Sequence, residues 1–204
     1  MGEEGFGKRG LGREGDMEGA STDAYSIRLA TQADVSALEA LVETSVRGLG
    51  PSQYSARQIE LSLQHLFGID TCLIDDGTYY VVETQNSANG LQIAGCGGWS
   101  LRKTPFGGDQ AEAQDSERRD PATDPAVIRA FFVHPDATRQ GIGRRLLDVC
   151  ESAAQDAGFR DFELTATLTG YPLYAAHGYD DVKTIEIPLA DGITLSAVHM
   201  KKHG

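Results

Sequence analysis

The segment that most constrains this chain runs from Ala126 to Gly158. It opens with Ala126-Val127-Ile128-Arg129-Ala130-Phe131-Phe132-Val133, an apolar run rich in β-branched and aromatic residues that reads as a central strand. His134-Pro135 closes it, because the residue before a proline is held extended. The period then changes. Ile142, Leu146, Val149, Cys150, Ala153 and Ala157 fall on one helical face, Arg144, Arg145, Asp148 and Glu151 fall off it, and Gly158 ends the helix. Between strand and helix lies Arg139-Gln140-Gly141-Ile142-Gly143-Arg144. A helix start leaves backbone N–H groups without partners, and the helix dipole makes that end positive. Glycines let an anion approach the backbone, and Arg139 and Arg144 add charge, so a diphosphate is the natural guest. A structural turn with no ligand is the alternative reading.

Two familiar nucleotide-binding patterns are excluded. The dinucleotide fingerprint needs a third glycine where Leu146 stands, and no Gly-Lys-Ser/Thr follows the loop.

The remaining chain supplies further elements. Residues 1–24 are rich in glycine and charge and nearly free of large apolar groups, which predicts a disordered tail, leaving 25–204 as one domain. Ser26-Ile27-Arg28-Leu29-Ala30 alternates as a short strand. Thr31, with Asp34 in the capping-box position, opens an amphipathic helix over 32–47 carried by Val35, Leu38, Leu41, Val42 and Val46. Ser55 caps a second helix over 56–67. Strands are expected at 72–74, 79–83 and 91–99, the last two separated by a polar turn at 85–90. Gly95, Gly97 and Gly98 inside a strand signal a bulge or the close approach of another group. Residues 102–125 read as a long polar loop, and Gly107-Gly108 would let it close over a ligand. Strands follow at 161–166, 180–188 and 193–200.

Composition narrows the function classes. The 204 residues suit one sizeable core. A formal net charge of −12 argues against a nucleic-acid partner, which binds through a Lys and Arg surplus; it suits a cationic or neutral partner, the former mildly favoured, with simple solubility as the plainer reading. Cys72, Cys96 and Cys150 have neither metal-ligand nor redox spacing and read as small buried apolar side chains in a reducing compartment. No metal is expected. No run is apolar enough to span a membrane, and the N terminus has neither a secretory nor a transit-peptide pattern, so a cytoplasmic location is the expectation.

Taken in order, these segments resemble the GNAT superfamily of N-acetyltransferases over roughly residues 26–200. The family's motif A is a strand ending V-x-P, then Q/R-x-x-G-x-G/A opening a long helix. Here the residues are Val133-His134-Pro135 and Thr138-Arg139-Gln140-Gly141-Ile142-Gly143, with Thr138 in place of Gln or Arg. Tyr171 to Tyr179 resembles motif B, F-Y-x-x-x-G-F, with Leu173 for the first Phe, then Tyr174, Gly178 and Tyr179. Thr167 stands where the family often has Asn.

The resemblance implies an α+β fold, with a mixed, mostly antiparallel sheet of about six or seven strands flanked by about four helices and a V-shaped splay between the two central strands. It implies acetyl-CoA as donor substrate, its pantetheine along Phe131, Phe132 and Val133 and its diphosphate on the amides of Arg139, Gln140, Gly141, Ile142, Gly143 and Arg144. The Val133 N–H would meet the thioester carbonyl, and Tyr174 would protonate the departing thiolate. The expected activity is acetyl transfer to an amine by direct attack in a ternary complex. The alternative is a module that binds or senses acyl-CoA without turnover. Glu83, Glu163 and His134 come into consideration as general base, with none singled out, and Trp99 is assigned equally to acceptor pocket or core. An exposed terminal strand would allow a homodimer.

Overall fold

A computed structural model describes residues 25–86, 90–103, 108–109 and 117–204. The expected tail over 1–24, the centre of the turn at 85–90, and residues 104–107 and 110–116 of the expected loop lie outside these residues. One seven-stranded sheet runs in the order β1-β2-β3-β4-β5-β7-β6. Its strands are β1 (Tyr25–Leu29), β2 (Tyr79–Asn86), β3 (Gly90–Ser100), β4 (Ala126–Val133), β5 (Asp161–Thr167), β6 (Asp180–Pro188) and β7 (Thr194–His203). All neighbours pair antiparallel except β4 and β5. The helices are α1 (Val35–Leu49), α2 (Ala56–His65), α3 (Thr71–Asp75), α4 (Ile142–Asp156) and α5 (Tyr171–Ala175). No helix among the described residues is long and apolar enough to cross a membrane.

Helix α4 covers one face of the sheet. Leu147, Cys150 and Ala154 pack there with Ile128, Phe162 and Leu164. Helix α1 covers the other face, where Leu38, Leu41 and Val42 meet Tyr79, Val81 and Cys96. The α1 stripe matches the sequence periodicity. The α4 stripe is rotated: Leu147 and Ala154 are buried and Ala157 is exposed. Trp99 belongs to the core on the α4 face, with its ring centroid 5.9 Å from that of Phe159.

Local chemistry sets the helix starts. The Thr31 N–H and hydroxyl both donate to the Asp34 carboxylate, at 2.8 and 2.9 Å. Arg28 also reaches Asp34 (2.8 Å) and Glu83 (2.7 Å), tying β1 to the entry of α1 and to β2. This cap supports one 3-10 turn (Gln32–Asp34), so the α-helix begins at Val35 rather than residue 32. Ser55 and Gln58 exchange hydrogen bonds in a full capping box at the start of α2.

One element differs in type. The run Cys72-Leu73-Ile74, expected as a strand, is the centre of helix α3. Three adjacent apolar residues carry no period that separates strand from helix. A contact distant in sequence supports the helix: Asp109 accepts from the Thr71 N–H at 3.0 Å, satisfying a helix-start donor.

Strand β4 creates the functional geometry. It pairs with β5 only at Ala126↔Phe162 and Val127↔Glu163, after which the two strands separate. On its other edge, β4 has a bulge: two steps of β3, from Cys96 to Gly98, oppose three steps of β4, from Phe132 to Arg129. Ala130 adopts φ 59° there, and the Tyr79 hydroxyl lies 3.3 Å from its carbonyl oxygen. The extra residue resets the alternation, so Phe131 packs on the α4 side and Phe132 on the α1 side. Gly97 makes room for this, since a Cβ there would lie 2.7 Å from the Phe131 ring.

Candidate active site

The opening between β4 and β5 leads into a cavity of about 560 Å³. Its long edge is β4 from Ile128 to Val133, and its far side is formed by Thr165 and Thr167 of β5 with Leu173 and Tyr174 of α5. The His134 N–H donates to the Ala94 carbonyl at 2.8 Å. Successive strand N–H groups point to opposite edges, so the Val133 N–H faces the side on which β5 has withdrawn.

At one end the cavity meets the start of α4. Gly141 occupies the N-cap position in a left-handed conformation, φ 81°, with no side-chain cap. The first helical hydrogen bond runs from the Arg145 N–H to the Gly141 carbonyl at 3.0 Å. The preceding first-turn amides therefore have no intrahelical acceptor. Gly143 lets α5 close over this turn, because a Cβ there would lie 3.0 Å from Leu173 Cδ2. Arg139, Gly141, Ile142, Gly143 and Arg144 line the cavity. Gln140 does not: its side chain bonds to the Asp136 carbonyl (3.0 Å) and to the Tyr25 hydroxyl, fixing the loop to its own base and to β1.

Tyr174 is buried, and its ring stands edge-on to those of Phe131 and Tyr179, with centroids 6.1 and 5.9 Å away. Burial, with a smaller contribution from nearby Cys150, raises its hydroxyl above the ordinary phenol range. It stays protonated at neutral pH and can donate a hydrogen bond or a proton. Burial also pushes Cys96 up to about 12 and raises Cys72 and Cys150. None of the three cysteines lines the cavity; Cys96 and Cys150 are buried, as expected, and Cys72 is half-buried.

The three carboxylate and imidazole candidates lie off the cavity lining. Glu83 is bound to Arg28. Glu163 is held by Arg119 (2.8 Å), His199 (3.3 Å) and Lys201 (3.6 Å). The Asp136 N–H donates to His134 Nδ1 at 3.3 Å.

Two lining residues escaped the sequence reading. Arg129 forms a buried ion pair with Asp70 at 2.7 Å, their side chains 5% and 3% exposed. Burial lowers the Arg129 pKa and raises that of Asp70. A lone arginine within an apolar central strand was the available signal, since a buried charge requires a partner. Tyr54 donates to the Ser196 carbonyl (2.8 Å) and accepts from the Leu168 N–H (2.7 Å), joining the entry of α2 to the ends of β5 and β7. Nothing local in the sequence marks those distant bonds.

The family profile described as acetyltransferase (GNAT) domain matches residues 75–181, just over half of the chain, and the chain belongs to that family. Among solved structures, the chain is similar to a GCN5-related N-acetyltransferase from Rhodopseudomonas palustris, at 17% identity and TM-score 0.62, covering 88% of this chain and 95% of that one. It is also similar to PaiA N-acetyltransferase from Thermoplasma acidophilum, solved in complex with coenzyme A, at 14% identity and TM-score 0.57, covering 88% and 99%. A third is yncA from Salmonella typhimurium, solved with its cofactor acetyl-CoA, at 15% identity and TM-score 0.54, covering 89% and 94%. At these identities the likeness concerns the fold. Comparison with curated protein sequences finds no match.

Proposed function

We propose that the chain is an N-acetyltransferase that moves the acetyl group of acetyl-CoA to an amine by direct attack in a ternary complex. The observation that carries this reading is the parting of β4 from β5 beyond Val127, beside the uncapped start of α4. The residues fit such a donor. Pantetheine runs along Phe131, Phe132 and Val133, and the diphosphate rests on main-chain amides between Arg139 and Arg144. The similar PaiA and yncA structures hold coenzyme A and acetyl-CoA respectively, which supports the choice of donor.

The Val133 N–H donates to the thioester carbonyl and holds the oxygen as negative charge develops on it. The amine nitrogen bonds to the carbonyl carbon, and the carbon–sulfur bond breaks. Tyr174 delivers a proton to the departing sulfur, and the proton shed by the attacking nitrogen restores the Tyr174 phenol, so the products are an amide and a thiol. Direct attack is favoured over an acyl-cysteine route because no cysteine lines the cavity and burial keeps all three thiols protonated. The test is a thiol-release assay with acetyl-CoA and a panel of amines. Acceptor-dependent release of coenzyme A with matching acetylated product is expected. Binding of coenzyme A without release for any amine would favour the sensing module.

A further inference from the structure

The wall opposite the α4 loop is built mainly from Val46 and Leu49 of α1, Ile59 of α2, Tyr54, and Leu66 and Phe67 after α2. Phe67 stands edge-on to Phe132, with ring centroids 6.0 Å apart, so aromatic faces converge where an acceptor would meet β4. Tyr54 contributes its ring, because its hydroxyl is engaged by Ser196 and Leu168. Gly108 closes the wall, with its N–H bonded to the Leu66 carbonyl at 3.1 Å.

Among the described residues, no Asp, Glu or His side chain lines this cavity. Its titratable groups are Tyr54 and Tyr174, whose pKa values burial raises, and the cations Arg129, Arg139 and Arg144. The nearby carboxylates lie off the lining, and the Oδ1 atom of Asp70 is buried without a hydrogen-bond partner. Asp70 pairs with Arg129 from outside the lining, and Asp109 accepts from the Thr71 N–H. An ammonium group entering here would lose water and find no carboxylate on the lining among the described residues, while the Arg129 guanidinium is already neutralised by Asp70. A neutral amine on an apolar body would lose little.

From this lining we infer that the acceptor is a primary amine on an apolar, ring-sized body with no second charge, taken up as the free base. The inference rests on the acetyl-transfer reading of the cleft. It sets aside the cationic acceptor that the overall acidic charge favoured, because no carboxylate among the described residues lines the pocket. It also fits a lining without an Asp, Glu or His side chain among the described residues: the ammonium proton is lost to solvent before binding, and the proton shed after attack passes to Tyr174.

The test uses the wild-type protein with saturating acetyl-CoA. Phenethylamine is compared with spermidine and with phenylalanine, and ring-substituted benzylamines supply a range of amine pKa at nearly constant shape. Coenzyme A binding is measured in parallel by calorimetry. The expected result is a kcat/KM for phenethylamine at least about tenfold above both comparators. The pH midpoint of kcat/KM should move with the benzylamine's own pKa. A preference for spermidine or phenylalanine overturns the inference, as does a midpoint that stays fixed across the series or transfer to none of these amines while coenzyme A binds. Failure of coenzyme A to bind would instead remove the acetyl-transfer reading itself.

Discussion

Phe131 and Tyr174 face each other across the opening between β4 and β5, their ring centroids 6.1 Å apart and their planes inclined at 65°. The contact bridges the two elements that the sheet no longer joins by hydrogen bonds. It exists because the bulge at Ala130 turns Phe131 toward the α4 face and because α5 begins immediately beyond the end of β5.

Replacing Tyr174 with Phe keeps that ring contact and removes the proton donor. Turnover should fall by about 10²-fold, with the dissociation constant of coenzyme A little changed. Steady-state kinetics with calorimetry separates the two effects. Unchanged turnover would remove Tyr174 from the mechanism.

Gly141 holds its left-handed φ of 81° with nothing near its would-be Cβ, so substitution acts through the backbone and not through a clash. A Gly141→Val change should cost about 1–2 kcal/mol. It should also weaken coenzyme A binding by disordering the first-turn amides. A urea titration and a binding isotherm on one preparation check both expectations.

Tyr54 spans from the α2 entry to β5 and β7 through two hydrogen bonds. Tyr54→Phe strands the Leu168 N–H and should lower stability by about 1–3 kcal/mol. Because Leu168 leads into α5, kcat should fall along with stability. A chemical-denaturation midpoint equal to that of the wild type would show that the clamp contributes nothing.

Asp34 supplies a pH dependence with a definite sign. Hydrogen bonds from Arg28 hold its carboxyl well below the usual carboxylate range, despite an opposing contribution from burial. A depressed acid stabilises the fold in full above the unfolded value, about 3.9, and the gain is lost as pH falls toward the folded value. Asp34→Asn should therefore be less stable than wild type at pH 7, and the gap should narrow in acid. Because Arg28 is 39% exposed, the gap is a modest one. Urea midpoints for both proteins at neutral and acidic pH test this, and a gap that widens in acid would contradict it.

Much of this architecture was legible in the chain because its signals are local. The run Ala126–Val133, the glycine loop and the α4 periodicity lie within a single stretch and fix the strand, the turn at Gly141 and the helix together. Gly95, Gly97 and Gly98 announced close approaches, which prove to be the Ile142 side chain, the Phe131 ring and the Thr78 carbonyl. What escaped depends on partners far away in sequence. One start donor of helix α3 is met by Asp109, Arg129 pairs with Asp70, and Tyr54 bonds to Ser196 and Leu168. Trp99, divided between pocket and core, is settled by Phe159 packing against its ring.

The central claim is that unpaired main-chain amides where α4 begins hold the linked phosphates of the donor. A crystal structure of the protein with acetyl-CoA tests it directly. The account predicts diphosphate oxygens within hydrogen-bonding distance of N–H groups between Arg139 and Arg144, with the pantetheine arm beside Phe131, Phe132 and Val133. Donor bound elsewhere, with that corner vacant, would contradict it.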